Sequence, residues 1–362
     1  MLFGVTTSNT AARRTALDNV RVFDGNALTA PTTVVIDGTL IGADDSGAER
    51  IDTGGAILLP GFIDAHVHIA DTESPARFTP FGVTTALDMT CDPAIVAGLR
   101  HTVGTTDVRS AGLGIVGAEG MHGKFLGEPA IIHGAEQAEA MVAQRLSTGS
   151  DYIKLVLEAP GEGGPDAASA KAVVAEAHAR DLLVVAHAAS PGAYAMALDA
   201  GVDIITHVPV GFPLPAHDID RIAGEGRVVV PTLTMMEGMA AANGFADAFG
   251  AALANVGALH AAGVPVLAGT DANASPGVPV NPAFGESLHY ELELLVRAGL
   301  SPVDALNAAT ALPARHFRLT DRGSIAPGLR ADLVLLEADP LADITATRSI
   351  RQVYSAGLPV AS

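Results

Sequence analysis

The sequence predicts an α/β fold, a (β/α)8 barrel accompanied by a small, discontinuous β-sandwich domain. Between residues 59 and 321, short apolar runs rich in β-branched residues alternate with segments of helical character, and such alternation produces parallel sheets. Eight of these units over about 260 residues suit a closed barrel. Strand-like segments without intervening helices return at both ends of the chain, in residues 1–58 and 322–362. These two segments are therefore predicted to form the second domain together.

The N-terminal segment carries strand-like runs at residues 20–23, 32–36 and 56–59. Asp37-Gly38 follows the second run and predicts a tight hairpin turn. Residues 1–16 are small and polar and are expected to be a frayed leader. Residues 1–10 have no basic region and no long apolar region, so no signal peptide is predicted there. A sheet of this size buries too little apolar surface to be stable alone. Strand-like runs at residues 331–336, 350–354 and 357–360 are therefore predicted to complete it.

The first predicted barrel strand ends at His66, and the others lie at residues 83–89, 112–116, 152–157, 182–186, 202–206, 228–233 and 264–268. The predicted helices lie at residues 93–103, 135–146, 166–179, 191–200, 216–223, 245–262 and 284–298. After the first strand, only a short helical segment at residues 74–78 is available. An open, doubly wound sheet is the structural alternative, but no G-x-G-x-x-G motif follows the first strand.

Composition and charge exclude several classes of protein. Forty acidic residues against 21 basic ones give a net charge of −19, which repels nucleic acids and anionic membrane surfaces. Cys91 is the single cysteine, so an intrachain disulfide and a thiolate metal site are excluded. No apolar run approaches the roughly 18 residues of a membrane-spanning helix. We expect a cytoplasmic protein that acts on a small molecule, without nucleic-acid or membrane partners, and a homo-oligomer is left open.

Residues with metal-binding chemistry stand at the ends of five predicted barrel strands: His66 and His68, Lys154, His187, His207 and Asp271. His66 and His68 are two residues apart in a strand and therefore point the same way, and paired neutral imidazoles suit a divalent ion such as zinc. Taken alone, this pair is equally compatible with two polar loop residues. Catalytic groups converge where the carboxyl ends of barrel strands meet. A lysine inside an apolar strand, as at Lys154, is either exposed or altered in charge.

His122 follows the third predicted strand and faces the same mouth of the barrel. It is a candidate catalytic residue that polarises a substrate carbonyl or binds a carboxylate. A solvated loop histidine explains it equally well.

Four motifs resemble the amidohydrolase superfamily, in its branch of binuclear-metal enzymes: PGFIDAHVH at 60–68, GVDIITH at 201–207, AGTD at 268–271 and GSIAPGLRADLV at 323–334. The chain is most similar to imidazolonepropionase-like and prolidase-like members, which implies a TIM barrel. The resemblance also implies two divalent ions, with zinc as the expected metal. It assigns His66, His68 and Asp271 to the first ion and His187 and His207 to the second. Lys154 corresponds to a lysine that CO2 converts to N6-carboxylysine, a carbamate that bridges both ions.

The reaction implied by the resemblance is hydrolysis of an amide C–N bond in a small molecule (EC 3.5) by a hydroxide that bridges the ions. Asp271 would take the proton of this hydroxide and pass it to the leaving amine. Deaminases of the superfamily carry glutamate where Ser190 stands, which disfavours that activity. Prolidases and carboxypeptidases often carry tyrosine where Ala189 stands. A dipeptidase or carboxypeptidase, a lactonase or phosphotriesterase, and a non-catalytic assembly protein on this scaffold are the alternatives.

Overall fold

The computed structural model describes residues 14–100 and 102–360. The strands are β1 (Arg14–Val22), β2 (Thr32–Asp37), β3 (Leu40–Gly42), β4 (Glu49–Asp52), β5 (Ile57–Pro60), β6 (Phe62–Val67), β7 (Val83–Asp88), β8 (Asp107–Ser110), β9 (Ile153–Val156), β10 (Val184–His187), β11 (Ile204–Thr206), β12 (Val228–Val230), β13 (Leu333–Leu336), β14 (Ile350–Ser355) and β15 (Leu358–Pro359). The α-helices are α1 (Ser74–Phe78), α2 (Pro93–Leu99), α3 (Met121–Leu126), α4 (Ala138–Ser147), α5 (Ala167–His178), α6 (Pro191–Ala200), α7 (Ala216–Gly224), α8 (Leu233–Ala242), α9 (Phe249–Ala261), α10 (Glu286–Arg297), α11 (Pro302–Ala308) and α12 (Ala311–His316). Within the described ranges, no helix combines the length and apolarity needed to cross a bilayer.

One eight-stranded sheet combines strands from both ends of the chain, in the order β15-β14-β13-β5-β1-β2-β3, with β4 paired to β1. β13 runs antiparallel to β5, which joins the C-terminal strands to the N-terminal ones. Leu17, Leu58 and Leu333 are fully buried in the core of this sheet. Of the leader expected at residues 1–16, residues 1–13 lie outside the described part of the chain. Residues 14–16 are not frayed, because they pair with β2 in the sheet.

The remaining strands are parallel, and the chain has a TIM-barrel type of fold with mixed α/β content. β6, β7 and β8 form one parallel group, and β9, β10, β11 and β12 form another. Isolated parallel bridges extend both groups, with Ile115 opposite Leu155, Val229 opposite Val266, and Val67 opposite Ala272. In the second group, Lys154 lies opposite Val185 and His187 lies opposite Thr206. The carboxyl ends of β9, β10 and β11 therefore lie at one edge of the sheet.

Two predicted barrel strands are not regular strands in the structure. Residues 112–116 form only isolated bridges, and the regular strand β8 lies earlier in the chain. Gly112 has a φ of +63°, which takes the chain out of the extended conformation. Residues 264–268 contribute a single bridge, because Pro265 has no N–H group to donate to a ladder.

The helices also depart from the sequence prediction in places. The helix predicted at 93–103 ends at Leu99, and those predicted at 135–146 and 245–262 begin with short 3-10 turns. Helices α3, α8, α11 and α12 occupy segments for which the sequence predicts none. Of these, α8 begins at the last residue of the predicted seventh strand, so that strand is shorter than expected.

Candidate metal centre

His66, His68 and Asp271 form the buried centre of the site. Nε2 of His68 lies 3.0 Å from Oδ1 of Asp271, and Nε2 of His66 lies 3.5 Å from the same oxygen. His66 is 1% exposed and Asp271 is 8% exposed. Both ring nitrogens of His66 are buried and have no hydrogen-bond partner among the described residues. Because buried polar atoms are normally paired, two free imidazole nitrogens beside a carboxylate fit a set of metal ligands.

Three further histidines form a row that leads from His66 towards solvent, in the order His207, His187 and His122. The ring centroids are 4.9 Å apart for His66 and His207, 4.4 Å for His207 and His187, and 4.7 Å for His187 and His122. His207 is buried, whereas the side chain of His122 is 36% exposed. The structure thus brings together the four histidines predicted at strand ends, and it places His122 at the outer end of their row.

Lys154 is buried beside these histidines. Its Nζ donates a hydrogen bond of 2.9 Å to Oγ1 of Thr206, and the residue is 3% exposed. Burial lowers the pKa of Lys154 to about 7, although the negative charges of Asp271 and Asp88 act in the opposite direction. Much of the amine is therefore neutral near pH 7, and the neutral amine is the form that reacts with CO2.

Electrostatics favour the metal-binding forms of these side chains. Burial and neighbouring positive charges hold the pKa of His66 and of His187 well below the ordinary value, and burial lowers the pKa of His207 to about 3. Burial also acts to lower the pKa of His68, but the hydrogen bond to Asp271 and its charge raise it overall. Burial acts to raise the pKa of Asp271, and its contact with His68 lowers it overall. Three neutral imidazoles and an ionised carboxylate are ready to act as ligands.

Three residues after strand ends have a left-handed backbone. The φ angle is +74° at His207, +49° at Thr232 and +57° at Asp271. Such angles are uncommon for residues other than glycine and rarest for β-branched residues such as Thr232. Strained backbone of this kind is concentrated at functional sites. Histidine and aspartate are enriched among the non-glycine residues with such angles, so Thr232 is the clear outlier of the three.

Thr232 and Glu291 support His207, although no motif in the sequence marks either as a site residue. Oγ1 of Thr232 lies 2.7 Å from Nδ1 of His207. Glu291, fully buried on α10, accepts hydrogen bonds from the N–H groups of Leu233 and Thr234, at 2.9 and 2.7 Å. The carboxylate therefore caps the first turn of α8. Because Thr232 directly precedes that turn, this cap holds the hydroxyl against His207 and leaves Nε2 as the free ligand atom.

Two buried aspartates hold the backbone around the centre. Asp64 accepts hydrogen bonds from the N–H groups of His66 and Thr270, at 3.2 and 3.0 Å, and from Oγ1 of Thr270, at 2.6 Å. Burial raises its pKa to about 7. Asp88 accepts a hydrogen bond of 2.9 Å from the N–H group of Ile69, and burial raises its pKa to about 6. Both carboxyl groups accept hydrogen bonds from backbone N–H groups at or next to the proposed metal ligands, so we interpret them as structural supports.

Comparison with known proteins relates the chain to one family. The model of the Amidohydrolase family matches residues 57–360. An imidazolonepropionase from Salinispora arenicola is 31% identical over 354 residues, which cover 86% of this chain and 86% of the relative. A Xaa-Pro dipeptidase with methionine bound in its active site has a TM-score of 0.84 at 22% identity, covering 96% of this chain and 100% of the other. A molinate hydrolase has a TM-score of 0.78 at 20% identity, covering 97% and 95%. The two structural likenesses support the fold.

Proposed function

This chain belongs to the amidohydrolase family, and on that premise we propose that it is a metal-dependent hydrolase that cleaves an amide C–N bond of a small molecule. The observation that carries the proposal is the convergence of His66, His68 and Asp271, whose ligand atoms all lie within 4.8 Å of one another. Two imidazoles and a carboxylate form a donor set that zinc favours. The unpartnered nitrogens of His66 support the same conclusion.

We assign the remaining ligands from the family resemblance and from their positions in the row. His66, His68 and Asp271 would hold one divalent ion, and His187 and His207 the other. Lys154 would become an anion between them once CO2 has carboxylated it, which removes the penalty of a buried ammonium. When bound, the ions supply Lewis acidity that lowers the pKa of water towards about 7 and polarises the substrate carbonyl.

Asp271 is proposed to move the proton. Its contact with His68 keeps its pKa low despite burial, so the carboxylate is ionised at neutral pH and can accept a proton from the attacking water. Its Oδ2 lies 3.9 Å from Nδ1 of His207. The same carboxyl group then donates the proton to the leaving nitrogen, which departs as a neutral amine. His122, at the outer end of the row, is proposed to contact the substrate's carbonyl or carboxylate.

The proposal places this site in a closed barrel of residues 59–321, with the halves of a β-sandwich domain at residues 1–58 and 322–362. The isolated bridges that extend both parallel groups and the pairing of β13 with β5 support this division. The proposed substrates are small linear or cyclic amides, and similarity to an imidazolonepropionase is the reason for including the cyclic ones.

A substrate screen tests the proposed function. Protein grown with zinc and bicarbonate would be assayed against N-acyl amino acids, dipeptides and cyclic amides, and its metal content would be measured by elemental analysis. We expect turnover in at least one class, loss of turnover with a chelator, recovery with zinc, and close to two ions per chain.

His66→Ala should abolish turnover, whereas the matched substitution His133→Ala, at an exposed histidine, should not. At most one ion per chain would count against the binuclear assignment. Turnover that survives complete removal of metal would refute metal-dependent hydrolysis.

A further inference from the structure

A second group of ligand-type side chains lies at the outer end of the histidine row. The ligand atoms of His122, Glu158 and His187 all lie within 4.8 Å of one another. Nδ1 of His122 is 3.6 Å from Oε1 of Glu158. This nitrogen is buried and has no hydrogen-bond partner in the described part of the chain. The group therefore contains a free imidazole nitrogen that points at a carboxylate without bonding to it.

The charge of Glu158 is not neutralised by a lysine or an arginine. Within residues 14–100 and 102–360, His122 is the one basic side chain within 4 Å of this carboxylate. The side chain of Glu158 is only 22% exposed, so water screens it incompletely. A cation that the chain does not supply would complete the group.

Two loops hold His122 and Glu158 in place. The N–H group of Gly120 donates a hydrogen bond of 2.9 Å to the carbonyl of Gly163, which ties the segment before α3 to the loop after β9. Gly163 has a φ of +93°, and a Cβ added there would lie 2.5 Å from the nitrogen of Gly120. A Cβ on Gly164 would lie 2.8 Å from the nitrogen of Glu158. The loops approach this closely only because glycines form the contact, so the ligand positions are set by the backbone.

We propose that His122, Glu158 and His187 bind a divalent metal ion, with zinc as the expected metal, at an outer site that shares only His187 with the ligand set that the family implies. Two imidazoles and a glutamate are a known zinc donor set. Ligand atoms around a tetrahedral zinc ion are roughly 3.4 Å apart, so the pair formed by His122 and Glu158 already has suitable spacing.

This inference rests on the proposed function for one residue, His187, which the family set assigns to the inner second ion. Lys154 as it stands is an amine that donates to Thr206 and offers no negative charge. Glu158 offers a carboxylate without any modification. Metal binding at the outer site is therefore independent of carboxylation, and a bound ion would take over the contact to substrate that His122 otherwise makes.

Zinc binding to purified full-length variants tests the outer site. The number of ions and their dissociation constants would be measured by elemental analysis and by competition with a chromophoric chelator. Glu158→Gln keeps the size of the side chain but removes its charge, and we expect it to lose one ion or to bind that ion at least tenfold more weakly. Glu162→Gln, at an exposed position in the same loop, is the matched control and should bind as the parent does. Lys154→Met should retain the ion that Glu158→Gln loses.

The outer site is wrong if Glu158→Gln binds as many ions, with the same affinities, as Glu162→Gln. It is also wrong if Lys154→Met and Glu158→Gln lose the same ion equally, since the two residues would then serve one site. Neither result touches the hydrolase proposal, which depends on the inner ligands and is measured by turnover. The two proposals can also fail in the other order. If binding of an ion depends on Glu158 but no chelator-sensitive turnover is found, the outer site stands and the hydrolase proposal fails.

Discussion

Replacing Lys154 by methionine should change how the stability of the metal-free protein depends on pH. Burial lowers the pKa of Lys154 from its ordinary 10.5 to about 7, so the charged form is less favourable by about 5 kcal/mol in the folded chain than in water. Between these two values the unfolded chain carries the proton and the folded chain has lost it. Unfolding then takes up a proton, and the free energy of unfolding rises with pH. From pH 7 to pH 9 this one group should add about 2 kcal/mol.

Methionine fills a similar volume and does not titrate, so Lys154→Met should lack this increase. Urea unfolding of both proteins would be followed by circular dichroism at pH 7, 8 and 9, with chelator present and bicarbonate absent. At pH 7 the variant should have a larger free energy of unfolding than the parent. This difference should shrink by about 2 kcal/mol between pH 7 and pH 9. Lys171→Met, at an exposed lysine on α5, is the control and should follow the parent. A difference between parent and Lys154→Met that stays constant with pH would refute the idea of a desolvated ammonium.

Three further predictions concern the metal centre. Asp271→Asn should keep the fold, measured by circular dichroism, and lose turnover, because an amide cannot accept the proton from water. Near-normal initial rates would show that Asp271 is not the proton acceptor. Lys154→Ala should lose turnover. Acetate or propionate should restore part of the turnover by replacing the carbamate, whereas acetamide should not. Activity equal to that of the parent without additives would contradict carboxylation. Thr232→Val removes the hydroxyl beside Nδ1 of His207 and should weaken zinc binding by about 10- to 100-fold in a chelator competition. Thr232→Ser keeps a hydroxyl and should not weaken it. Unchanged affinity in the valine variant would make Thr232 a packing residue.

The signals that predict the metal centre are local in the sequence. A short apolar run predicts a buried strand, and a histidine, lysine or aspartate at its end stands out against that run. Because parallel strands bring their carboxyl ends to one edge, residues far apart in sequence were expected to meet. The structure places His66, His68, His207 and Asp271 together, with Lys154 buried beside them.

Local patterns were less reliable where a strand is irregular. The apolar segment 112–116 predicts the third strand, yet the regular strand is β8. The sequence of β8 alternates buried and partly exposed residues and contains Asp107 and Arg109, so it lacks the apolar run that predicts a buried strand. It is a strand in the structure because its backbone pairs with β7 in parallel, from Asp107 opposite Thr85 to Ser110 opposite Asp88.

By itself, the sequence determined the general alternation of strands and helices, the ligand-type residues at strand ends and the resemblance to a family, since each depends on neighbours in the chain. Only the tertiary structure showed that Glu291 caps α8 and that Thr232 contacts His207. Those hydrogen bonds join residues 58 and 25 positions apart, and no local pattern encodes which helix packs beside which strand end. The nearness of His122 to Glu158 has the same origin, because it depends on two glycine-rich loops meeting in space. A hydrogen bond or an ion pair across the fold requires two surfaces to be placed within about 3 Å, and that placement is decided by packing of the whole domain.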